Sequence, residues 1–257
     1  MKIAIVGKGG VGKTTIAACL ARLLSRDGYS VIAVDADPSL NLAQALGIPR
    51  DVANSVPVLF DYEEFIKSRT LRPSGVYLVN PRVNDVVERF TIKGPDGVKL
   101  LKLGAVRKGG ARCLCPEYAF LRALLSHLIL GRKDIVILDM VAGLEHMSRG
   151  AARGVDLMLC ITEPSVKAID VALQMHKLSK DLDVKMFAVV INKASSEDDV
   201  GIVKRALEGV EVIGVIPYDA SVIEADREGI SLIDYAPTSK AIQCIKELKK
   251  YIEAFIK

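Results

Sequence analysis

The sequence predicts an α/β fold: a doubly wound, mainly parallel sheet flanked by helices. Seven short runs rich in Val, Ile and Leu have the composition of strands that are covered on both faces, and 50% of all residues are apolar. Amphipathic segments with helical periodicity lie between these runs, which is the pattern of repeated βα units. A glycine-rich motif that contains Gly-Lys-Thr directly follows the first run, at a strand-to-helix turn.

The predicted elements alternate along the chain. The predicted strands are residues 2–7, 30–37, 76–81, 134–140, 155–162, 184–192 and 211–217. The predicted helices are residues 13–27, 116–130, 165–181, 197–208 and 238–257. No linker or shift in composition divides the 257 residues, so we expect a single domain over residues 1–257. Residues 82–115 carry turn signals and no convincing crossover helix, so we expect an irregular insertion there that ends in a Cys-x-Cys motif.

Charge and hydropathy narrow the class of protein. The net charge is +4, and the Lys and Arg residues are scattered along the chain, so we expect no nucleic-acid partner. The first apolar run is too short for a signal peptide, and no run is long enough to cross a bilayer. We therefore expect a cytoplasmic protein with no stable membrane association.

The amphipathic carboxyl-terminal segment has two interpretations. Its lysines would suit a helix that lies on a membrane surface. Its apolar stripe fits better with a terminal helix that packs on the core. The predicted core stripe is Ile242, Ile245, Leu248, Ile252 and Phe255.

The five cysteines, an odd number, argue against a disulfide framework in a reducing compartment. Cys19, Cys160 and Cys244 lie in apolar helical or strand patterns and are interpreted as packing residues. Cys113 and Cys115 instead lie in the irregular segment RKGGARCLCPEY. We therefore interpret this pair as metal ligands.

A Cys-x-Cys pair can supply only part of a metal site. Side chains at i and i+2 of an extended segment face the same way, so both thiolates can bind one ion, but they fill only half of a tetrahedral site. A twofold dimer would complete it with four thiolates. Thiolates suit zinc, nickel or an iron–sulfur cluster, so the ligand type alone does not identify the metal.

The strongest motif is GKGGVGKTT, residues 7–15, which has the spacing of a phosphate-binding loop between a strand and a helix. Its glycines let backbone N–H groups turn toward phosphate oxygens, and the helix amino terminus adds a partial positive charge. We expect Lys13 to reach the terminal phosphates and the Thr14 hydroxyl to bind Mg²⁺. The predicted nucleotide-binding residues of the loop are Gly9, Gly10, Val11, Gly12, Lys13, Thr14 and Thr15.

The triplet Lys-Gly-Gly at the start of this loop resembles the deviant Walker A motif of the MinD, ParA and nitrogenase iron protein superfamily. The resemblance implies that Lys8 reaches across a homodimer to the nucleotide of the other subunit. It would stabilise charge there as an arginine finger does in other NTPases. The alternative is a solvated loop lysine.

Two acidic motifs occupy the positions of the switch residues in this superfamily. In DADPSLNL the resemblance implies that Asp37 orients or deprotonates the attacking water, with Asp35 beside it. Either aspartate could alternatively cap a helix that begins near Ser39. In LDMVAG, Asp139 ends an apolar strand and is expected to hold Mg²⁺ through water, while residues 142–143 match switch II. The predicted catalytic residues are Lys8, Lys13, Asp37 and Asp139.

Two late strands are expected to supply the base pocket. VINK ends in Asn192 and Lys193, and by resemblance the Asn192 amide pairs with adenine. GVIPYD places backbone at Pro217 and Tyr218 near the base. The aspartate of a guanine-specific Asn-Lys-x-Asp element is replaced by Ser195, which favours ATP, with ADP as its product, over GTP.

Two further motifs narrow the resemblance. CLCPE and ITEPSVKAID make the chain similar to the CooC family, the accessory ATPases of nickel carbon monoxide dehydrogenase. The resemblance implies a nucleotide-linked and metal-linked homodimer that binds nickel or zinc. Such a dimer would assist insertion of nickel into the active-site cluster of the dehydrogenase.

Two other classes of ATPase stay open at this point. One is a positioning ATPase that acts on membrane or DNA, as MinD and ParA relatives do. The other is an electron-transfer ATPase with a shared iron–sulfur cluster. DMVAGLEHM has no cysteine in switch II, which argues against the cluster geometry of the nitrogenase iron protein.

Overall fold

The computed structural model describes residues 1–37, 39–72, 78, 81–104, 115–128, 131–141 and 154–256, with the backbone alone for residues 115–118. Within these ranges the strands are β1 (Lys2–Val6), β2 (Ser30–Asp35), β3 (Thr91–Lys93), β4 (Lys99–Lys102), β5 (Asp134–Asp139), β6 (Leu157–Thr162), β7 (Met186–Ala194) and β8 (Val212–Pro217). The helices are α1 (Lys13–Arg26), α2 (Leu42–Ala45), α3 (Arg50–Ser55), α4 (Glu63–Thr70), α5 (Val86–Phe90), α6 (Cys115–His127), α7 (Val166–Asp181), α8 (Glu197–Ala206), α9 (Ala220–Glu228), α10 (Leu232–Tyr235) and α11 (Lys240–Ile256).

The strands of the described residues form one sheet in the order β3-β4-β2-β5-β1-β6-β7-β8. β3 runs antiparallel to β4, and every other neighbouring pair is parallel. β1 lies in the interior between β5 and β6, so the chain winds outward from the centre in both directions. This architecture confirms the predicted α/β fold with a doubly wound, mainly parallel sheet.

Both faces of the sheet are covered by helices. Ile3 and Ile5 of β1 belong to the core that α1, α2, α10 and α11 complete. Ala4 and Val6, which alternate with them, belong to the core that α4, α5, α6 and α7 complete. All four residues are fully buried. Because neither face meets water, the central strands are continuous apolar runs in the sequence.

The region expected to be irregular contains regular structure. Between residues 86 and 102 the chain forms α5, β3, a 3₁₀ turn and β4, so the predicted irregular insertion over 82–115 is wrong for this part. β4 extends the sheet because it pairs in parallel with β2, where Lys102 lies opposite Asp35. Its residues Leu100 and Leu101 are fully buried, one on each face of the sheet.

The predicted strand over residues 76–81 lies mostly outside the described residues. Leu78 and Pro81 are described, and neither belongs to a strand. The Leu78 N–H donates to the carbonyl oxygen of Thr70 at the end of α4, 2.7 Å away. The place beside β2 is occupied by β4.

A charge cluster around the buried Arg22 fastens the β3–β4 turn to α1. The Arg22 side chain is 5% exposed; its Nε donates to Asp96 (2.6 Å), and its two terminal nitrogens contact Asp234. Arg26 Nε contacts the same Asp96 at 3.0 Å, and the Ser25 hydroxyl donates to the Asp96 carbonyl oxygen at 2.8 Å. These contacts hold Asp96 in a left-handed conformation, with φ of 55°, and tie the turn and α10 to the helix that begins at the phosphate loop.

The terminal helix packs on the core as predicted, except at its end. The stripe residues Ile242, Ile245, Leu248 and Ile252 of α11 are at most 1% exposed. Phe255 is 50% exposed, so its predicted place in the core is wrong; it lies in the last turn, where its ring contacts Tyr251. Within the part of the chain that the structure describes, no helix has the length and apolar character needed to span a membrane.

Candidate nucleotide-binding site

The carboxyl ends of five neighbouring strands bring the predicted site residues together. β2 ends at Asp35, and its neighbour β5 ends at Asp139. β1, next to β5, leads into the loop of residues 7–15. On the other side of β1, β6 ends just before Glu163, and the last residues of β7 include Asn192. Asp35 and Asp139 are register partners on adjacent strands. In open parallel sheets ligands bind outside the carboxyl ends of the strands, at the point where the winding reverses.

Two glycines of the phosphate loop are required by its packing. Gly7 has φ of 139°, and a Cβ there would collide with the Ile161 carbonyl oxygen. Gly12 has φ of 96°, and a Cβ there would lie 2.5 Å from the Asn192 Nδ2. The loop is thus pressed against β6 and β7, and α1 begins at Lys13, where the N–H groups of a first helical turn have no acceptor within the helix itself. This is the backbone arrangement of an anion site.

Lys13 lies beneath this loop. Its residue exposure is only 7%, and its Nζ donates to the carbonyl oxygen of Lys8 at 3.2 Å. Burial lowers the pKa of Lys13, while the charges of Asp139 and Asp37 oppose that shift. The amine therefore contacts the loop, and the charges of Asp139 and Asp37 favour its charged form.

Asp139 has the features of a magnesium-site residue. It is 1% exposed, and neither carboxylate oxygen makes a hydrogen bond of standard geometry with the described residues. Burial raises its pKa to about 6, although the neighbouring Thr14 hydroxyl and the Lys13 amine favour the charged form. A buried carboxylate without full pairing is costly, and a divalent cation bound by carboxylate and hydroxyl oxygens would satisfy it. Thr14 and Asp139 fit Mg²⁺ on this chemistry.

Asp35 and Asp37 make different contacts. Asp35 is fully buried and accepts hydrogen bonds from the N–H groups of Leu42 (3.0 Å), which begins α2, and Asp37 (3.2 Å). Burial raises the pKa of Asp35 to about 7. The capping interpretation is thus the one that the Asp35 contacts favour. Asp37 is partly exposed, and one oxygen accepts from the Ser39 N–H and hydroxyl at 2.9 and 2.6 Å.

The predicted base-pocket residues line one cavity of about 150 Å³. The Asn192 amide donates to the Val11 carbonyl oxygen at 2.7 Å, so one of its two N–H hydrogens is hydrogen-bonded to the phosphate loop. The Tyr218 N–H donates to the Ala194 carbonyl oxygen at 3.0 Å, and its side chain is 54% exposed. Apolar residues of α9, α10 and α11 form one part of the cavity lining. The other lining residues are Gly12, Thr15, Ile16, Asn192, Lys193, Ile216, Pro217, Tyr218 and Asp219.

Three charged side chains lie at the mouth of the loop. Glu163 Oε1 is 3.5 Å from Lys8 Nζ, and Glu163 Oε2 is 3.4 Å from Lys193 Nζ. Lys193, with φ of 59°, also donates from Nζ to the Gly10 carbonyl oxygen at 2.6 Å. We call Lys8, Glu163 and Lys193 the mouth cluster.

Comparison with known proteins identifies the family. The sequence matches the CobQ/CobB/MinD/ParA nucleotide binding domain over residues 2–233. The chain belongs to this family. The carbon monoxide dehydrogenase accessory protein CooC of Rhodospirillum rubrum is 39% identical over 93% of this chain and 92% of its own length. An uncharacterized ATP-binding protein of Methanocaldococcus jannaschii is 41% identical over 100% of this chain and 98% of its own length.

The solved structures agree with this family assignment at the level of the fold. The cell division ATPase MinD of Pyrococcus furiosus superimposes with a TM-score of 0.73 at 24% identity, over 99% of this chain and 98% of that chain. The match to the family over residues 2–233 confirms the MinD and ParA relationship expected from the phosphate loop.

Several predicted features of this family member lie outside the described residues. They include Cys113, residues 142–143 and the side chain of Cys115, whose backbone begins α6. Among the described residues, no group of three or more His, Cys, Asp and Glu residues could hold a metal ion. Cys19 and Cys160 are buried as predicted, and burial raises the pKa of each thiol to about 12. Cys244 is only partly buried.

Glu163 is a site residue that the sequence motifs do not single out. It lies within the quoted motif ITEPSVKAID, directly after the apolar strand β6, at the same edge as the other site residues. An acidic residue in that position was the available signal. Its two lysine partners come from the phosphate loop and from β7, and their contacts are visible only in the folded chain.

Proposed function

We propose that this chain is a Mg²⁺-dependent ATPase that works as a homodimer in the maturation of a nickel enzyme, as an accessory of carbon monoxide dehydrogenase. The observation that carries the nucleotide part is the buried, incompletely paired Asp139 beside Thr14 and Lys13, under a phosphate loop. The 39% identity to CooC over 93% of the chain supports the maturation part.

The loop would hold the ATP phosphates through its backbone N–H groups and Lys13. Thr14 and Asp139 would hold Mg²⁺, which neutralises charge on the terminal phosphates when bound. Asp37 is partly exposed next to this site and would align the attacking water. Phosphoryl transfer depends mainly on positioning and charge stabilisation, so these residues need no covalent role.

The base would lie in the cavity lined by Asn192, Pro217 and Tyr218. The Asn192 amide has a carbonyl oxygen and a second hydrogen to offer, since its contact with Val11 uses one hydrogen. Ser195 in place of an aspartate supports adenine over guanine.

The dimer supplies two further parts of the proposal. Lys8 would act on the nucleotide of the partner subunit; its side chain is 35% exposed, and its ion pair within the described residues, with the partly exposed Glu163, is weak. Cys113 and Cys115 of both subunits would bind nickel or zinc, the cargo, with four thiolates. ATP-dependent closure of the same interface would then couple nucleotide state to metal binding.

The metal part is tested by replacing both ligands. We expect Cys113→Ser/Cys115→Ser to lose stoichiometric nickel or zinc, measured by metal analysis, and to bind ATP nearly as the natural protein does. Cys244→Ser, a partly buried cysteine on α11, is the matched control and should retain the metal. Metal content and metal-linked dimerisation that survive the double change would contradict the site.

The same preparation separates the alternative classes. An anaerobically isolated brown protein with broad visible absorption would indicate an iron–sulfur cluster in place of nickel or zinc. Salt-sensitive binding to anionic vesicles or duplex DNA, without bound metal, would favour a positioning ATPase.

The cross-subunit role of Lys8 has its own test. Lys8→Ala should bind nucleotide as the natural protein does and should hydrolyse ATP about 100-fold more slowly, because one charge contact to the transition state is lost. Lys167→Ala, an exposed lysine at the start of α7, is the control. Equal hydrolysis rates for the Lys8 variant and the natural protein would reject the role.

A further inference from the structure

The mouth cluster contains an acidic residue for which the nucleotide reaction has no evident use. Glu163 lies between two lysines, and its Oε1 also accepts from the Ser165 hydroxyl at 3.3 Å. Glutamate repels phosphate, so a carboxylate at the mouth of an anion site works against nucleotide binding unless it has another task.

The two lysines are fixed to different degrees. Lys193 is held twice, by Glu163 and by the Gly10 carbonyl oxygen at 2.6 Å. The backbone of Lys8 is fixed, since its carbonyl oxygen accepts from Lys13, but its amine has Glu163 as its charged contact within the described residues. Glu163 is therefore anchored to the loop through Lys193, and Lys8 is the member free to leave.

We propose that Glu163 is a positioning residue that holds Lys8 within its own subunit and so opposes the transfer of Lys8 to the nucleotide of a partner subunit. This inference rests on the proposed cross-subunit role of Lys8. A Lys8 side chain held at Glu163 has to leave this contact to reach a nucleotide bound by another subunit, so the intrasubunit and intersubunit contacts compete.

The strengths of the competing contacts fit such an exchange. The side chains of Lys8 and Glu163 are 35% and 22% exposed, and their atoms are 3.5 Å apart, so water and salt screen this pair. A terminal phosphate carries more charge than a carboxylate and would be shielded from water between two subunits. Lys8 therefore stays with Glu163 in the free subunit and moves when ATP and a partner are both present.

The test is the dimer dissociation constant, measured by analytical ultracentrifugation with Mg²⁺ and a non-hydrolysable ATP analogue. Loss of a partly exposed ion pair favours release of Lys8 by about threefold per subunit, and each dimer has two such pairs. We therefore expect Glu163→Gln to lower the dissociation constant of the dimer by about tenfold. Glu163→Ala should give the same shift.

A double-mutant cycle separates positioning from a merely structural role. In a Lys8→Ala background, Glu163→Gln should have no effect on dimerisation, because there is no amine left to release. Glu64→Gln is the charge-matched control, since Glu64 pairs with Lys67 on the exposed side of α4 and should leave dimerisation unchanged.

The outcomes distinguish this inference from the function on which it rests. If Lys8→Ala impairs hydrolysis while Glu163→Gln leaves dimerisation unchanged or weakens it, the role of Glu163 is wrong and that of Lys8 stands. If Glu163→Gln changes dimerisation equally with and without Lys8, Glu163 has a structural role that does not depend on Lys8, and the inference is wrong. If Lys8→Ala dimerises and hydrolyses like the natural protein, the cross-subunit role fails and this inference fails with it.

Discussion

Helix α1 carries two buried cations, and their surroundings differ. Arg22, 4% exposed, has its guanidinium shared between the carboxylates of Asp96 and Asp234. Lys13, 7% exposed, donates to one carbonyl oxygen, and the carboxylate of Asp139 near it has no standard hydrogen bond among the described residues. Among the described residues, the Arg22 cluster is fully paired, whereas the Lys13 region has a carboxylate without a standard hydrogen bond.

The difference indicates where a ligand belongs. A buried charge that is fully paired can hold elements together, as Arg22 holds the β3–β4 turn and α10. A buried charge without its full set of partners lowers the stability of the free protein, and it is retained where a bound ligand supplies the missing contacts. The Lys13 and Asp139 region fits the second case, with Mg²⁺ and phosphate as the missing partners.

The largest effect is expected from breaking the complete cluster. Arg22→Met should lower the free energy of unfolding by about 3 kcal/mol, because two carboxylates lose their buried partner. Urea denaturation of the ligand-free protein measures this. Arg26→Met is the matched control, since Arg26 contacts the same two aspartates but is 41% exposed; it should cost less than about 1 kcal/mol. Equal losses of unfolding free energy in both variants would show that the burial of Arg22 does not make its ion pairs stronger than those of Arg26.

A smaller effect is expected from the incomplete cluster, and it should appear in binding. Lys13→Ala should weaken nucleotide affinity about 100-fold, measured by calorimetric titration, because a buried charged donor to phosphate is lost. Its effect on the ligand-free protein should be minor. The control is Lys185→Ala, an exposed lysine that pairs with Asp156 at the opposite end of the strands. Nucleotide affinity equal to that of the control would remove Lys13 from the site.

Much of this site follows from local sequence patterns. The loop of residues 7–15, Asp139 and Asn192 each directly follow or end a long apolar run, so their meeting at one sheet edge could be predicted from strand order alone. The predicted helix at 165–181 and strand at 134–140 agree closely with α7 and β5 for the same reason.

Other features depend on contacts that no local pattern contains. β4 has four residues with a lysine at each end, so neither length nor alternation indicates a buried strand. The raised pKa of Asp139 arises from its burial by several segments of the chain. The mouth cluster joins residues of the phosphate loop, the β6–α7 loop and β7, and the contact between the Asp35 carboxylate and the first N–H of α2 exists only in the folded chain.

The smallest expected effect concerns Asp139 and depends on pH. Burial raises its pKa from the ordinary 3.8 to about 6, so the folded protein holds this proton more tightly than the unfolded chain. Its contribution to stability is therefore lost as pH rises from about 4 to about 6, and the full penalty applies at pH 8. Asp139→Asn removes the charge and should stabilise the ligand-free protein at pH 8 by about 2 kcal/mol, with little effect at pH 4.

The most direct measurement is the free energy of unfolding of Asp139→Asn and of the natural protein at pH 8, each with and without saturating Mg²⁺ and ADP, with the exposed Asp170→Asn as control. We expect the variant to be the more stable protein without ligand. The natural protein should gain more from Mg²⁺ and ADP, because only its carboxylate can hold the cation. A natural protein that is already the more stable one without ligand, or equal gains from the ligand in both proteins, would contradict the assignment of Asp139 as an unpaired charge that Mg²⁺ completes.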